Sequence, residues 1–245
     1  EVGGVEDVAE VVAGKAVEAG VEGVTGMGER DAFGEVDAVL SGYQGGTQIG
    51  DVILGAVEQV KAANPDAIYA CDPVMGNAKS GCFVHPDIPV LLRERVVPKA
   101  DLITPNQFEL GFLTDTEPGD LESTLASVDA AAAMGPSTVL VTSVLQPDRP
   151  ADTIEMLAVH GDGAWMVRTE HLPIKVNGSG DVTAALFTTH LLQTGDPALA
   201  LGRTASSVWD LVKRTLDSGR RELQLVQSQE QIAHPRMQFE VEKVR

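Results

Sequence analysis

Residues 50–76 read GDVILGAVEQVKAANPDAIYACDPVMG. Apolar residues recur at three- and four-residue spacing from Val52 to Val60, and Asn64-Pro65 then halts the pattern, so the first half is a helix. The second half is a short, continuously apolar run that ends at Asp72-Pro73. This is the form of a strand buried on both faces. A helix that feeds such a strand, both closed by proline, is one half-turn of an α/β repeat.

The same alternation extends in both directions. Upstream, 36–46 (VDAVLSGYQGG) reads as a buried strand running into a glycine-rich turn. Downstream, 88–97 is expected to be helical, and 100–113 (ADLITPNQFELGFL) a strand, a break at Pro105 and a new helix. Residues 120–135 form a long helix and 137–144 (STVLVTSV) another buried strand. The pattern then changes. Residues 153–173 read as two strands about a Gly-Asp-Gly turn, a hairpin. A helix follows to about Gln193, and two more are expected near 197–217 and 222–233. The fold class expected is α/β: a mostly parallel central sheet flanked by helices on both faces, with a C-terminal antiparallel edge hairpin.

At the front, 2–20 reads as an acidic amphipathic helix with Val5, Val8, Val11 and Val12 on one face, broken by Gly20, Gly23, Gly26 and Gly28. With no repeat, linker or boundary visible, residues 1–245 are expected to form one domain.

The 245 residues carry a net charge of −18, with a pI of about 4.5 and a mean hydropathy of +0.02. A core is available, whereas nucleic acid or an anionic membrane is not expected as a partner. No apolar run is long enough to span a bilayer and no signal peptide is evident, so the expected location is cytoplasmic. Cys71 and Cys82 do not make a disulfide framework. Cys71 is expected to be a buried free thiol.

In open α/β sheets, ligands gather past the carboxyl ends of the strands. The polar residues at those ends are Tyr43 and Gln44, Asp72, Thr104 and Asn106, Thr142 and Ser143, and Asp181. Singly, each has an ordinary structural role available. Asp72 suits a turn, Asn106 a helix cap with Glu109 closing a capping box, and Thr142 a strand. Their shared edge is what singles them out.

The stretch 175–187, KVNGSGDVTAALF, adds a glycine-flanked helix start. Gly178 and Gly180 let backbone approach a ligand, and the helix N-terminus supplies free N–H groups and positive potential for an anion. A carboxylate there, Asp181, is placed to take a proton from a hydroxyl attacking a phosphoryl group. The alternative is that Asp181 simply caps the helix. The motif is neither a Walker A loop nor a dinucleotide fingerprint, because it lacks the Lys-Ser/Thr pair and comes late in the chain.

Taken together, NGSGD (177–181) resembles the glycine-rich signature of the ribokinase-like kinases, and TPNQFEL (104–110) resembles their Asn-x-x-Glu motif. SGYQG, CDPVMGNAKSGCFV, TPNQFELGFLT, VLVTSV and RMQFEV, in this order, resemble the pyridoxal kinase family from about Phe33 to the C-terminus. The resemblance implies a ribokinase-like fold and ATP-dependent phosphorylation of the 5′-hydroxymethyl group of pyridoxal. It implies Asp181 as the catalytic base, and Gly178, Ser179 and Gly180 as an anion hole. It further implies Asp72 and Glu109 at Mg²⁺ and the ATP phosphates, supported by Asn106. Thr104, Thr142 and Ser143 would contact ATP, Tyr43 would lie beside the pyridine ring, and the assembly would be a homodimer. Other readings are a kinase for another hydroxymethyl heterocycle, such as hydroxymethylpyrimidine, and a non-catalytic nucleotide or vitamer binder. The family's opening strand and substrate-closing segment are not found, so residues 1–32 are expected to be an atypical or truncated front.

Overall fold

The computed structural model describes residues 20–245. The helix expected over 2–20 lies almost wholly outside them. Residues 20–29 are helical (α1), although four glycines fall there. Gly20 packs against Val52 and Gly28 against Phe33, where a Cβ would come within 3.3 and 3.2 Å. Tertiary packing thus overrides a propensity cost of about 1 kcal/mol per glycine.

Strand β1 (Ala38–Ser41), helix α2 (Thr47–Ala63) and strand β2 (Ile68–Cys71) follow as the sequence predicts. Asn64 caps α2 and its side chain donates to the Val36 carbonyl at 3.0 Å, tying the helix end to the start of β1. Between β2 and α3 (Asp87–Leu91) lies a small hairpin that the sequence did not announce: β3 (Gly76–Asn77) and β4 (Gly81–Cys82). Next come β5 (Leu102–Ile103), α4 (Gln107–Thr114), α5 (Leu121–Ala132) and β6 (Thr138–Val144). The expected hairpin is β7 (Thr153–His160) and β8 (Gly163–Glu170), and α6 (Ser179–Thr194) and α7 (Pro197–Ser218) follow it. The last expected helix shrinks to a 3-10 turn and α8 (Gln229–Ala233), and the chain ends in β9 (Val241–Lys243).

Seven strands form one sheet in the order β1-β2-β5-β6-β7-β8-β9. The first four are parallel and the rest antiparallel. The hairpin is therefore not the edge: β9 returns to pair outside β8. Side chains alternate between faces as a strand requires. Tyr69, Cys71, Ile103, Val139, Val141, Leu157 and Val159 point into a core with α2, α3, α4 and α5. Ala70, Leu102, Leu140 and Ala158 point the other way, into a core with Phe187 of α6 and Ala200, Leu201 and Ala205 of α7. Burial on both faces explains why these strands read as continuous apolar runs. Among the described residues, no helix is long and apolar enough to cross a membrane.

Candidate active site

The parallel strands end level with one another, and backbone hydrogen bonds continue their register past the ends. Asp72 N–H donates to the Ser41 carbonyl (2.8 Å), Thr104 N–H to the Cys71 carbonyl (3.0 Å) and Thr142 N–H to the Pro105 carbonyl (2.9 Å). Asn106 forms an isolated parallel bridge with Thr142. Asp72, Thr104, Asn106 and Thr142, four of the residues singled out in the sequence, thus stand in one row.

Ser143 ends the row in a left-handed conformation, φ 54°, within a bulge that breaks the β6–β7 register between Val141 and Val144. Left-handed backbone at a non-glycine residue costs about 1–2 kcal/mol. It turns the strand end outward, so Ser143 lines the cleft described below.

Across from the row, α6 begins. Gly178 is its N-cap, with φ 83° and no capping side chain. The amides of the first turn are left for another acceptor. Asp181 is not the cap that one reading of the sequence allowed. It lies within the first helical turn, on an exposed surface. A Cβ on Gly42 would sit 3.5 Å from Asp181 Oδ1, and a Cβ on Gly180 would sit 3.8 Å from Asp72 Oδ2. The turn after β1, the end of β2 and the start of α6 therefore converge on two carboxylates.

Asp72 is buried, with 7% of its surface exposed. Burial, then the neighbouring charge of Glu109, and more weakly that of Asp181, raise its pKa to about 7. The Thr104 hydroxyl beside it offsets part of this rise, yet is itself buried without a hydrogen-bond partner at normal distance.

Glu109 is also raised by burial, against the pull of its hydrogen bonds. Its Oε1 accepts from Met75 N–H (2.9 Å) and Gly76 N–H (3.2 Å), and its Oε2 from Asn106 N–H (2.9 Å). The Asn106 side chain accepts from Glu109 N–H at 2.9 Å, completing the capping box that the sequence suggested.

From this corner a cleft of about 780 Å³ runs along the sheet edge. Asn106, Thr142, Ser143, Ser179 and Gly180 line its polar end. Its other end is apolar, with Ile174, Val176, Val208, Trp209 and Val212. These apolar residues, and Lys79, His171 and Lys175 on its walls, were not identified from sequence. The spacing of Ala205, Val208, Trp209 and Val212 on α7 marks a helix face, but nothing in it separates a cleft from a core. Tyr43 stands away from this cleft, 61% exposed, just past Gly42. Thr104, expected against ATP, lies beneath Asp72 with 3% exposure and does not line the cleft.

Among the described residues, no three His, Cys, Asp or Glu side chains gather into a protein cage for a metal. Asp72 nevertheless suits a hard cation shared with phosphate oxygens, which needs only one or two carboxylates. It is a buried acid crowded by two others, and a cation beside it would relieve that repulsion.

The chain resembles known proteins along most of its length. The phosphomethylpyrimidine kinase family matches residues 34–225. A pyridoxal kinase PdxY of Leifsonia xyli is 68% identical over 223 residues, covering 91% of this chain and 79% of the relative. One from Corynebacterium diphtheriae is 61% identical, over 90% of this chain and 78% of the relative. The solved pyridoxal kinase of Leishmania donovani in complex with ADP and ginkgotoxin superposes with a TM-score of 0.84 at 25% identity. It covers 94% of this chain and 81% of that one. With its parallel row of strand ends, its glycine-capped helix and these relatives, the chain belongs to the pyridoxal kinase family of the ribokinase-like superfamily.

Proposed function

We propose that the chain transfers the γ-phosphoryl group of ATP to the 5′-hydroxymethyl group of pyridoxal, the vitamin B6 salvage reaction. The observation that carries this reading is the convergence of Asp181, the open first turn of α6 behind Gly178, and Asp72 beside Gly180, the residue at which a nucleotide-sized cleft meets this corner. The curated relatives at 68% and 61% identity are named pyridoxal kinases, and the Leishmania donovani structures hold ADP with pyridoxamine or with ginkgotoxin.

The base of ATP takes the apolar end of the cleft, against Val208, Trp209 and Val212. The triphosphate runs toward Ser143, Asn106 and α6. The first-turn amides and Ser179 receive the phosphoryl group as it passes, because free N–H groups and the helix dipole favour the charge that spreads over its oxygens. Asp181 accepts the hydroxymethyl proton as the new O–P bond forms. The bond from the γ-phosphorus to the β,γ-bridging oxygen breaks, and ADP carries the released electron pair. Asp72 would hold Mg²⁺ with the phosphates, and the ion supplies positive charge where acidic side chains would otherwise repel ATP. Tyr43 flanks the vitamer on the Gly42 side of Asp181.

The setting proposed is the cytoplasm, where free thiols such as Cys71 and Cys82 stay reduced. The assembly proposed is a homodimer. Among the described residues β1 ends the sheet order, with Leu40 41% exposed, and a strand edge of this kind favours cover by another chain.

A second reading, phosphorylation of a hydroxymethylpyrimidine, is favoured by the family match over 34–225. The deciding experiment measures ADP release with pyridoxal, with hydroxymethylpyrimidine and with neither. Turnover should require pyridoxal. Turnover with the pyrimidine alone would replace the first reading by the second, and none with either would leave a binder.

A further inference from the structure

The β3–β4 hairpin rises from the chain directly after Asp72-Pro73 and brings Lys79 to the wall of the cleft. Its tip is shaped by Asn77, whose side-chain oxygen accepts from Lys79 N–H (3.0 Å) and Ser80 N–H (2.9 Å). Its stem is unusually tight. A Cβ on Gly76 would fall 2.2 Å from the Gly81 carbonyl oxygen, so the two strands close only because Gly76 has no side chain. What fixes the root is not the hairpin itself. Glu109 Oε1 accepts both root amides, Met75 N–H and Gly76 N–H, and the Asn106 amide donates to the Gly76 carbonyl at 2.8 Å. The other oxygen of Glu109 is held by Asn106 N–H. The carboxylate is 4% exposed, and its two oxygens accept three backbone N–H groups.

We propose that Glu109 is a positioning residue, a clasp that joins the start of α4 to the root of the 76–82 hairpin and so sets where Lys79 meets the nucleotide, and not a direct ligand of the metal. The inference rests on the kinase reading for its consequence but not for its geometry. An acceptor engaged on both oxygens by backbone donors has little left for a cation. A hairpin of two residues per strand has too few internal bonds to hold its own angle, because such short ribbons are not independently stable. The Asn106–Glu109 capping box thus does two jobs: it starts α4 and it anchors the loop over the cleft.

Glu109→Gln tests this in the full chain. The glutamine keeps the shape but owns one acceptor and one donor. Either the Met75 and Gly76 amides or the Asn106 amide must then face an NH₂ group. Hydrogen exchange at Met75 and Gly76, or at Asn106, whichever side meets the NH₂ group, read on ligand-free protein, should quicken by about tenfold or more, as expected where charge-assisted bonds are lost. The KM for ATP should rise about tenfold, the KM for pyridoxal should change less than about twofold, and excess Mg²⁺ should not restore the first. Unchanged exchange at all three amides, Met75, Gly76 and Asn106, would overturn the clasp. So would recovery of the ATP KM by Mg²⁺, which would make Glu109 a metal ligand. If the chain has no kinase activity at all, the exchange result still decides the clasp and only the kinase reading falls. Should Glu109→Gln fail to fold, Asn106→Ser serves. It keeps an acceptor for the Glu109 N–H but loses the bond to the Gly76 carbonyl, and exchange across 76–82 should again quicken. Unchanged exchange there refutes the proposal equally.

Discussion

Replacing Asp72 by asparagine should make the ligand-free protein more stable at alkaline pH while weakening its grip on ATP. The folded site holds the Asp72 carboxyl at about 7, against an ordinary 3.8. An acid whose pKa is raised by folding favours the folded state while protonated. That contribution is fully present below pH 3.8 and is lost as pH rises through 7. Each tenfold step is worth 1.36 kcal/mol, so the group costs up to about 4 kcal/mol by pH 8. Glu109, raised by the same burial, pushes the same way. Asparagine has the shape without the titration. At pH 5 the wild type is largely protonated at Asp72, and the two proteins should lie closer in stability. The gap should open in favour of Asp72→Asn as pH climbs to 8. For a chain of this size each kcal/mol moves the melting midpoint by about 2–4 °C, so the difference is several degrees. Thermal melts and urea titrations of both proteins at pH 5 and 8, without ligand, read it directly. Mg-ATP should stabilise the wild type more than the variant at pH 8. A variant less stable than wild type at pH 8, or a gap that does not change with pH, would refute the reasoning.

Asp181→Asn should keep the fold and most ATP affinity but lose turnover by about 10²–10⁴-fold, the usual worth of a positioned base. Near-normal turnover would remove it from that role. Turnover should require Mg²⁺ or a similar hard cation, and undiminished ATP use in excess chelator would contradict this. Trp209→Ala should raise the KM for ATP and leave that for pyridoxal unchanged, because the indole lines the apolar end of the cleft. An equal rise in both would place the base elsewhere. Gly178→Ala should destabilise by about 1–2 kcal/mol and impair transfer, since φ 83° lies in the left-handed region; a melt like wild type would contradict the geometry.

The order of the main strands and helices was legible from residue 36 onward because the central strands β2, β5 and β6 are buried on both faces. GDVILGAVEQV and AIYAC can be told apart by period alone. What escaped the sequence depended on contacts between distant segments. The helix over 20–29 survives four glycines through Val52 and Phe33. β9 pairs with β8 across the C-terminal helices, so the expected edge hairpin is interior to the sheet. The β3–β4 hairpin has two residues per strand, too few for any period, and is held by Glu109 from 33 residues away. The site divided in the same way. Asp72, Asn106, Thr142 and Ser143 could be grouped from the sequence because strand ends in this class share an edge, and Gly180 and Asp181 because glycines flank a helix start. Trp209, Val208 and Val212 were not, because a helix face that lines a cleft carries the same spacing as one that lines a core.

The three acids of the site divide into distinct physical situations, and the division gives the site its logic. Asp181 stands exposed at the mouth of a helix whose dipole favours negative charge. Glu109 is buried but satisfied by backbone donors. Asp72 is buried and crowded, with a pKa raised to about 7 and the Thr104 hydroxyl beside it unpartnered. Only the last is improved by a cation. Without nucleotide it is partly protonated near neutral pH, which limits the repulsion an incoming triphosphate would meet. Binding a metal there must release that proton, so the apparent affinity for Mg-ATP should fall with pH below about 7 while the folded protein itself grows more stable. With Asp72 in the role proposed, the folded protein is therefore least stable where it is most ready to bind a cation.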